Sequence, residues 1–256
     1  MNLLRIELRK VLPYRTFWFI LGIYALLMVL ILYASSHITV NGTDLGTTAF
    51  TLPELWQRLT YVASYFNLLL GVLIIILVSD EYSFRTIRQQ VIDGLSRQDV
   101  VMAKFFVVLT LAITSTVFLL VIGLYFGLVH GTNHSLSAIF SQSDFLLYYL
   151  VQAVAYMSLA LLVSFFLRKS GLSIIAFIAY AKIIEPIIHF NVPDTLDKYM
   201  PMKVFNSLTP MPGQEILDQL TMPTELLSPA WAVLPSLLYI GLLLLLSFYT
   251  LKLRDI

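Results

Sequence analysis

The sequence predicts an all-α, polytopic membrane fold, and three observations carry that prediction. Hydrophobic residues make up 59% of the 256 residues and charged residues 12%, against roughly 45–50% and about 25% in soluble domains. A water-soluble fold of this composition would lack the polar surface to cover itself. Six apolar runs are long enough to cross a hydrocarbon core of about 30 Å, which takes roughly 20 helical residues. The runs are continuously apolar and do not alternate as the strands of a membrane barrel would. A formal net charge of +1 leaves no basic face for nucleic acid. With no cysteine in the chain, disulfides, zinc thiolate sites and thiol nucleophiles are excluded.

The N-terminal segment MNLLRIELRKVLPYR reads as an amphipathic surface helix. Leu4, Leu8, Val11 and Leu12 fall on one face, while Arg5, Arg9 and Lys10 reach lipid headgroups. Pro13 ends that helix. The spans are predicted near 16–34, 61–79, 105–129, 145–167, 171–190 and 230–251, in a single transmembrane domain covering 1–256. The first run exceeds the roughly 7–15-residue core of a signal peptide, so it is expected to remain as a signal anchor. Trp18, Trp56 and Trp231 lie at or near span ends, where an aromatic belt would place them.

Orientation follows from the basic residues of the connections. The side holding the N-terminus, residues 80–104, the Arg168-Lys169 turn and the C-terminus carries twelve of the sixteen Lys and Arg residues. The opposite side carries Arg58, Lys198 and Lys203, and Lys182 lies inside a span. Both termini and residues 80–104 are therefore expected in the cytoplasm. Outside, residues 35–60 and 130–144 form modest polar loops. The stretch 191–229 is longer and punctuated by six prolines, and apolar pieces such as EILDQL predict short interfacial or re-entrant helices within it. No internal repeat is visible, which counts against the inverted-repeat carriers.

The cytoplasmic connection, SDEYSFRTIRQQVIDGLSRQDVVMAKF at residues 79–105, gathers eight of the 31 charged residues. Phe84, Ile87 and Val91 recur at helical spacing and predict a narrow apolar stripe, with Arg85, Arg88 and Gln89 on the adjacent face. Asp93-Gly94 stops that helix, because glycine accepts the left-handed conformation of a C-cap. Ser96 through Asp99 reads as an N-cap with an acidic partner, opening the helix that becomes the third span. Lys104 is placed to snorkel at the membrane boundary. A plain connection needs only a few residues, so the stripe calls either for a docked protein or for the headgroup layer.

Here the sequence resembles ABC-2 type permeases, the membrane subunits of one class of ATP-binding-cassette exporter. Their loop between the second and third spans has a glutamate and an aromatic, then a threonine, an aliphatic and an arginine. After a short turn come Ser-Arg and a lysine. This chain has Glu81-Tyr82, Thr86-Ile87-Arg88, Asp93-Gly94, Ser96-Arg97 and Lys104 in that order, with Arg85 before the threonine and Arg88-Gln89-Gln90-Val91-Ile92-Asp93-Gly94 after it. The likeness spans the chain in topology and about 25 residues in motif. It implies a coupling element that docks into a separate cytoplasmic ABC ATPase. The polar contacts would come from Glu81, Arg85 and Arg88, and the packed ones from Phe84, Ile87 and Val91. It also implies a second permease, copy or paralogue, and ATP with magnesium held by the partner ATPase. No GxxxxGK[ST] phosphate loop occurs in this sequence.

Inside the spans, Lys182, Glu185 and His189 stand at i, i+3 and i+7 around Pro186, and Gln152 lies in the fourth span. Ionisable groups at membrane depth face a cavity or a partner. Two readings stand side by side: a translocation path or gate kinked at Pro186, and an intrahelical Lys182–Glu185 pair. Gln152 fits interhelical hydrogen bonding better than substrate contact. No HExxH motif, metal-ligand set or nucleophile–base constellation points to an enzyme. A membrane anchor or sensor that recruits a cytoplasmic partner, and an ion-coupled carrier using Lys182 and Glu185, are the alternatives to an ATP-driven exporter.

Overall fold

The computed structural model describes residues 3–36, 39–40, 43–44, 50–131, 135–189, 191–214 and 226–253. The EILDQL piece at 215–220 and its expected short helix lie outside the described residues. Helix α1 (Leu3–Val11) precedes α2 (Arg15–Ser36), and a small antiparallel ribbon pairs β1 (Thr39–Val40) with β2 (Thr43–Asp44). Helices α3 (Leu55–Tyr65) and α4 (Asn67–Ser83) follow, then α5 (Thr86–Ile92), α6 (Arg97–His130) and α7 (Leu136–Phe140). The chain continues through α8 (Asp144–Leu167), α9 (Ser170–His189), α10 (Asp194–Asp197), α11 (Pro201–Ser207) and α12 (Pro229–Leu253). Among the described residues, five helices are long and apolar enough to cross a membrane, or six if the bent pair α3–α4 is one span. The protein is an integral, multi-pass membrane protein.

The bundle is built around α8. Two thirds of its most apolar window is buried, 67% against 22% for α2, α9 and α12. Its composition explains the position. Ala153, Ala155, Ser158 and Ala160 are all buried, and such small side chains let neighbouring backbones come close where water supplies no drive between helices. Close approach also governs the contact of α3 with α6. A Cβ added at Gly123 would meet the Trp56 ring at 2.7 Å, so this crossing requires the missing side chain.

Two helices depart from straight spans. At Phe66 the chain bends by 42° between α3 and α4, so the second span predicted at 61–79 straddles a break. In α9 the turn Tyr180–Ile184 is a wide π turn. Pro186 has no N–H to return to the carbonyl four residues back, and the wide turn lies directly before it, absorbing the missing bond. The predicted kink is thus a change of helical register.

The peripheral helix α2 keeps Trp18, Phe19, Leu26, Leu30 and Tyr33 exposed, as a lipid-facing span does. Helix α1 does not simply float on the surface: Glu7 and Val11 are both buried against the bundle.

Candidate functional site

The segment between α4 and α6 is a rigid unit whose geometry is set by its backbone punctuation. Helix α4 runs on from the membrane to Ser83, and Arg85 then takes a left-handed conformation, φ 58° and ψ 21°. Thr86 Oγ1 donates to the Glu81 carbonyl at 3.1 Å, and α5 begins with a new phase. At its far end Gly94 is left-handed, φ 98°. Leu95 N–H donates to the Gln90 carbonyl at 3.0 Å and Gly94 N–H to the Val91 carbonyl at 3.1 Å, the paired bonds of a Schellman stop. Gln89 Nε2 donates to Asp93 Oδ1 at 2.9 Å. Ser96 and Asp99 then cap α6 reciprocally, each side chain taking the other's backbone N–H at 3.1 Å. Arg97 donates to the Lys252 carbonyl at the end of α12.

The phase break at Arg85 splits the predicted apolar stripe. Ile87 is fully buried and Val91 half-buried, both packed against the core of this chain. Phe84 lies outside the helix and is 74% exposed, and Ile92, which the periodicity did not single out, is 68% exposed. Arg85 and Arg88 are exposed as well. The outward face therefore includes Phe84, Arg85, Arg88 and Ile92.

Beneath this unit lies a group of charges that local sequence signals did not reveal. Lys104 is not at the lipid boundary: it is 5% exposed and ion-paired with both Glu7 of α1 and Glu81 of α4. Lys10 joins them, 2.7 Å from Glu7 and 3.5 Å from Glu81. Burial opposes ionisation of Glu7, but the charge of Lys104 and hydrogen bonds from Lys10 and Lys104 outweigh it and hold this carboxyl below the usual range. Tyr14 donates to Asp80 nearby. The N-terminal helix, the base of α4 and the start of α6 are thus tied into one block.

The polar groups of the spans fall into separate places. Gln152 is completely buried at the centre. Its Oε1 accepts from Asn67 Nδ2 at 3.2 Å and from Thr209 Oγ1 at 3.1 Å, and its Nε2 donates to the Phe205 carbonyl at 2.9 Å. Glu185 is also buried and accepts the Met202 backbone N–H. Helix α11 is therefore stitched to α8 through Gln152 and to α9 through Glu185. His189 pairs with Asp197, which also holds Lys203. Burial opposes ionisation of Asp197, while Lys203 and His189 outweigh it and lower its pKa.

The intrahelical Lys182–Glu185 pair does not form among the described residues. The wide turn takes the two side chains off a common face, and Lys182 instead lies exposed over the Tyr65 ring, 5.6 Å from its centroid, within cation–π range. A cavity of about 230 Å³ opens there, lined by Tyr61, Tyr65, Tyr156, Lys182 and Asn206 among others. Among the described residues no group of His, Asp and Glu could hold a metal ion.

Over residues 3–183 the chain matches the family described as ABC-2 family transporter protein. No curated protein matches it.

Proposed function

Because the chain belongs to the ABC-2 family of transporter permeases, whose members are non-catalytic, we propose that it is the membrane-spanning subunit of an ATP-binding-cassette exporter. In this reading both termini and α5 face the cytoplasm of a bacterial cytoplasmic or inner membrane. A separate ABC ATPase holds ATP and magnesium, and a second permease, copy or paralogue, completes the translocation path.

The observation that supports the reading best is the unit around α5. Phe84, Arg85, Arg88 and Ile92 project from the bundle, while Ile87, Glu81 and the lysines fix the unit from below. A docked ATPase pushing on this face would move α4 and α6 together, because Lys104 joins α6 to α4 and α1. Gly94 and Ser96 keep the turn between the helices sharp. Lys182, with its cavity, is the candidate for the translocation path. Gln152, Glu185 and His189 hold α11 in place beside it and act as framework for the path.

Copurification tests the proposal. Wild-type permease should bring down an ATPase subunit and stimulate ATP hydrolysis in vesicles. Phe84→Asp and Arg88→Glu should each abolish this while the thermal midpoint shifts little, since surface changes stay within about 0.5 kcal/mol. A permease that captures no ATPase, or whose export survives both changes, would sink the exporter reading. Capture without stimulated hydrolysis would favour an anchor or sensor.

A further inference from the structure

Where α4 and α8 stop, a cavity of about 540 Å³ opens between the two helix ends and α5. Arg85, Arg88, Arg168 and Lys169 line it together with Tyr82 and Glu81. Glu81 already meets Lys10 and Lys104, and no other carboxylate stands in the wall. Four cations thus converge on one opening.

The backbone sharpens the observation. Arg85 and Arg168 are both left-handed, each at φ 58°. Glycine holds such a turn without strain, yet an arginine occupies each, and both line the same cavity. A cation at a helix C-terminus complements the helix dipole, which accounts for one arginine per helix end. It accounts neither for Arg88 and Lys169 nor for the meeting of all four. The Arg168 guanidinium is held over the Tyr82 ring, 5.2 Å from its centroid. The neighbouring Phe166 is 52% exposed, so the cavity lies where the apolar belt of the bundle gives way to polar surface.

We propose that this cavity binds the phosphate of an acidic lipid headgroup. A planar guanidinium matches phosphate oxygens in pairs, and basic pockets between span ends at the membrane surface take acidic headgroups. Depth favours a lipid over a soluble partner, since a bilayer presents its phosphates at this level of the bundle. The site shares Arg85 and Arg88 with the proposed docking face, so the test acts on Arg168 and Lys169, which that face does not use.

The test uses the full chain in mild detergent, offered short-chain phosphatidylglycerol or phosphatidylcholine and followed by native mass spectrometry. Wild-type protein should retain phosphatidylglycerol in preference. Arg168→Gly combined with Lys169→Gln should bind it roughly 25-fold more weakly, about fivefold for each charge lost. The variant exchanges the Arg168 contact over Tyr82 for an unstrained left-handed turn, so the thermal midpoint should shift little, which separates lost binding from lost folding. Equal retention of both lipids by the wild type, or undiminished phosphatidylglycerol binding by the variant, overturns the proposal. Displacement by millimolar inorganic phosphate at equal occupancy would make the ligand free phosphate and refute the lipid source. ATPase capture that depends on Arg168 and Lys169 while lipid retention does not would assign the cations to a protein contact instead.

Discussion

Among the described residues, two of the polar assemblies that hold this bundle together are made differently. At the α5 end, Glu7, Lys10, Glu81 and Lys104 form a block of full charges. At the centre, Gln152, Asn67, Thr209 and the Phe205 carbonyl form a neutral network. Full charges are tolerated where two cations meet two anions and part of the group, here Lys10, stays exposed. Deep inside α8 an unmatched ion would be far more costly, and an amide with both ends occupied does the same joining without charge. The chemistry of each joint thus follows from whether its charges can be matched. The charged joint is expected to fail badly when one member is lost, because an uncompensated buried charge remains, and the neutral joint to fail gently.

The largest expected effect breaks the charged joint. Lys104→Met leaves Glu7 and Glu81 sharing Lys10 alone and should destabilise the protein by about 3–5 kcal/mol, read as resistance to unfolding in detergent. Adding Glu7→Leu to that variant should recover much of the loss, since a buried ion pair replaced by apolar groups is often near neutral. A double variant as unstable as the sum of the two single changes would refute the coupling.

The next contrast lies within α5. Ile87→Asp places a carboxylate in a fully enclosed site and should cost more than 2 kcal/mol. Phe84→Asp, on the exposed face, should leave stability nearly unchanged. Equal effects would mean that the phase break at Arg85 does not orient the helix as described. At the neutral joint, Gln152→Leu should cost only about 1 kcal/mol, in line with hydrogen bonds between membrane helices. A loss as large as that of Lys104→Met would erase the distinction between the two joints.

The smallest effect is a pH dependence. The Glu7 pKa is depressed in the folded protein, so its contribution is full above the ordinary glutamate value of about 4.3 and is lost as pH falls through its lower folded value. The difference in thermal midpoint between wild type and Glu7→Gln should be constant from pH 7 to 5 and shrink in stronger acid. A difference that grows on acidification would reverse the sign and contradict the pairing.

Local features were legible in the sequence because local physics sets them. Apolar runs gave the membrane class, and Asp93-Gly94 and Ser96 through Asp99 gave the stop and the restart around the connection. What escaped depends on distance or on phase. Glu7 and Lys104 are 97 positions apart, and no periodicity connects them. The apolar spacing of Phe84, Ile87 and Val91 assumed an unbroken helix, which the left-handed Arg85 interrupts. The spacing of Lys182 and Glu185 assumed 3.6 residues per turn, which the wide turn before Pro186 violates. Ile92 went unnoticed for the same reason as Phe84 was misplaced: an exposed apolar residue at a helix end has no partner in the pattern.

The wide turn at Tyr180–Ile184 also makes α9 a helix with one residue of slack. Deleting Ile183 would convert that turn to an ordinary one and leave both flanking halves in their seats, because the wide turn holds one residue more than an ordinary turn needs. Lys182, inside the turn, would shift over Tyr65, while Glu185, beyond it, would keep the Met202 amide. The two halves of this span are therefore indexed separately, one by the bundle and the other by α11. A single-residue deletion there should leave α11 seated, seen as unchanged amide exchange over Pro201–Ser207 and in α8. The same deletion in α8 has no slack to draw on and should unseat the whole bundle.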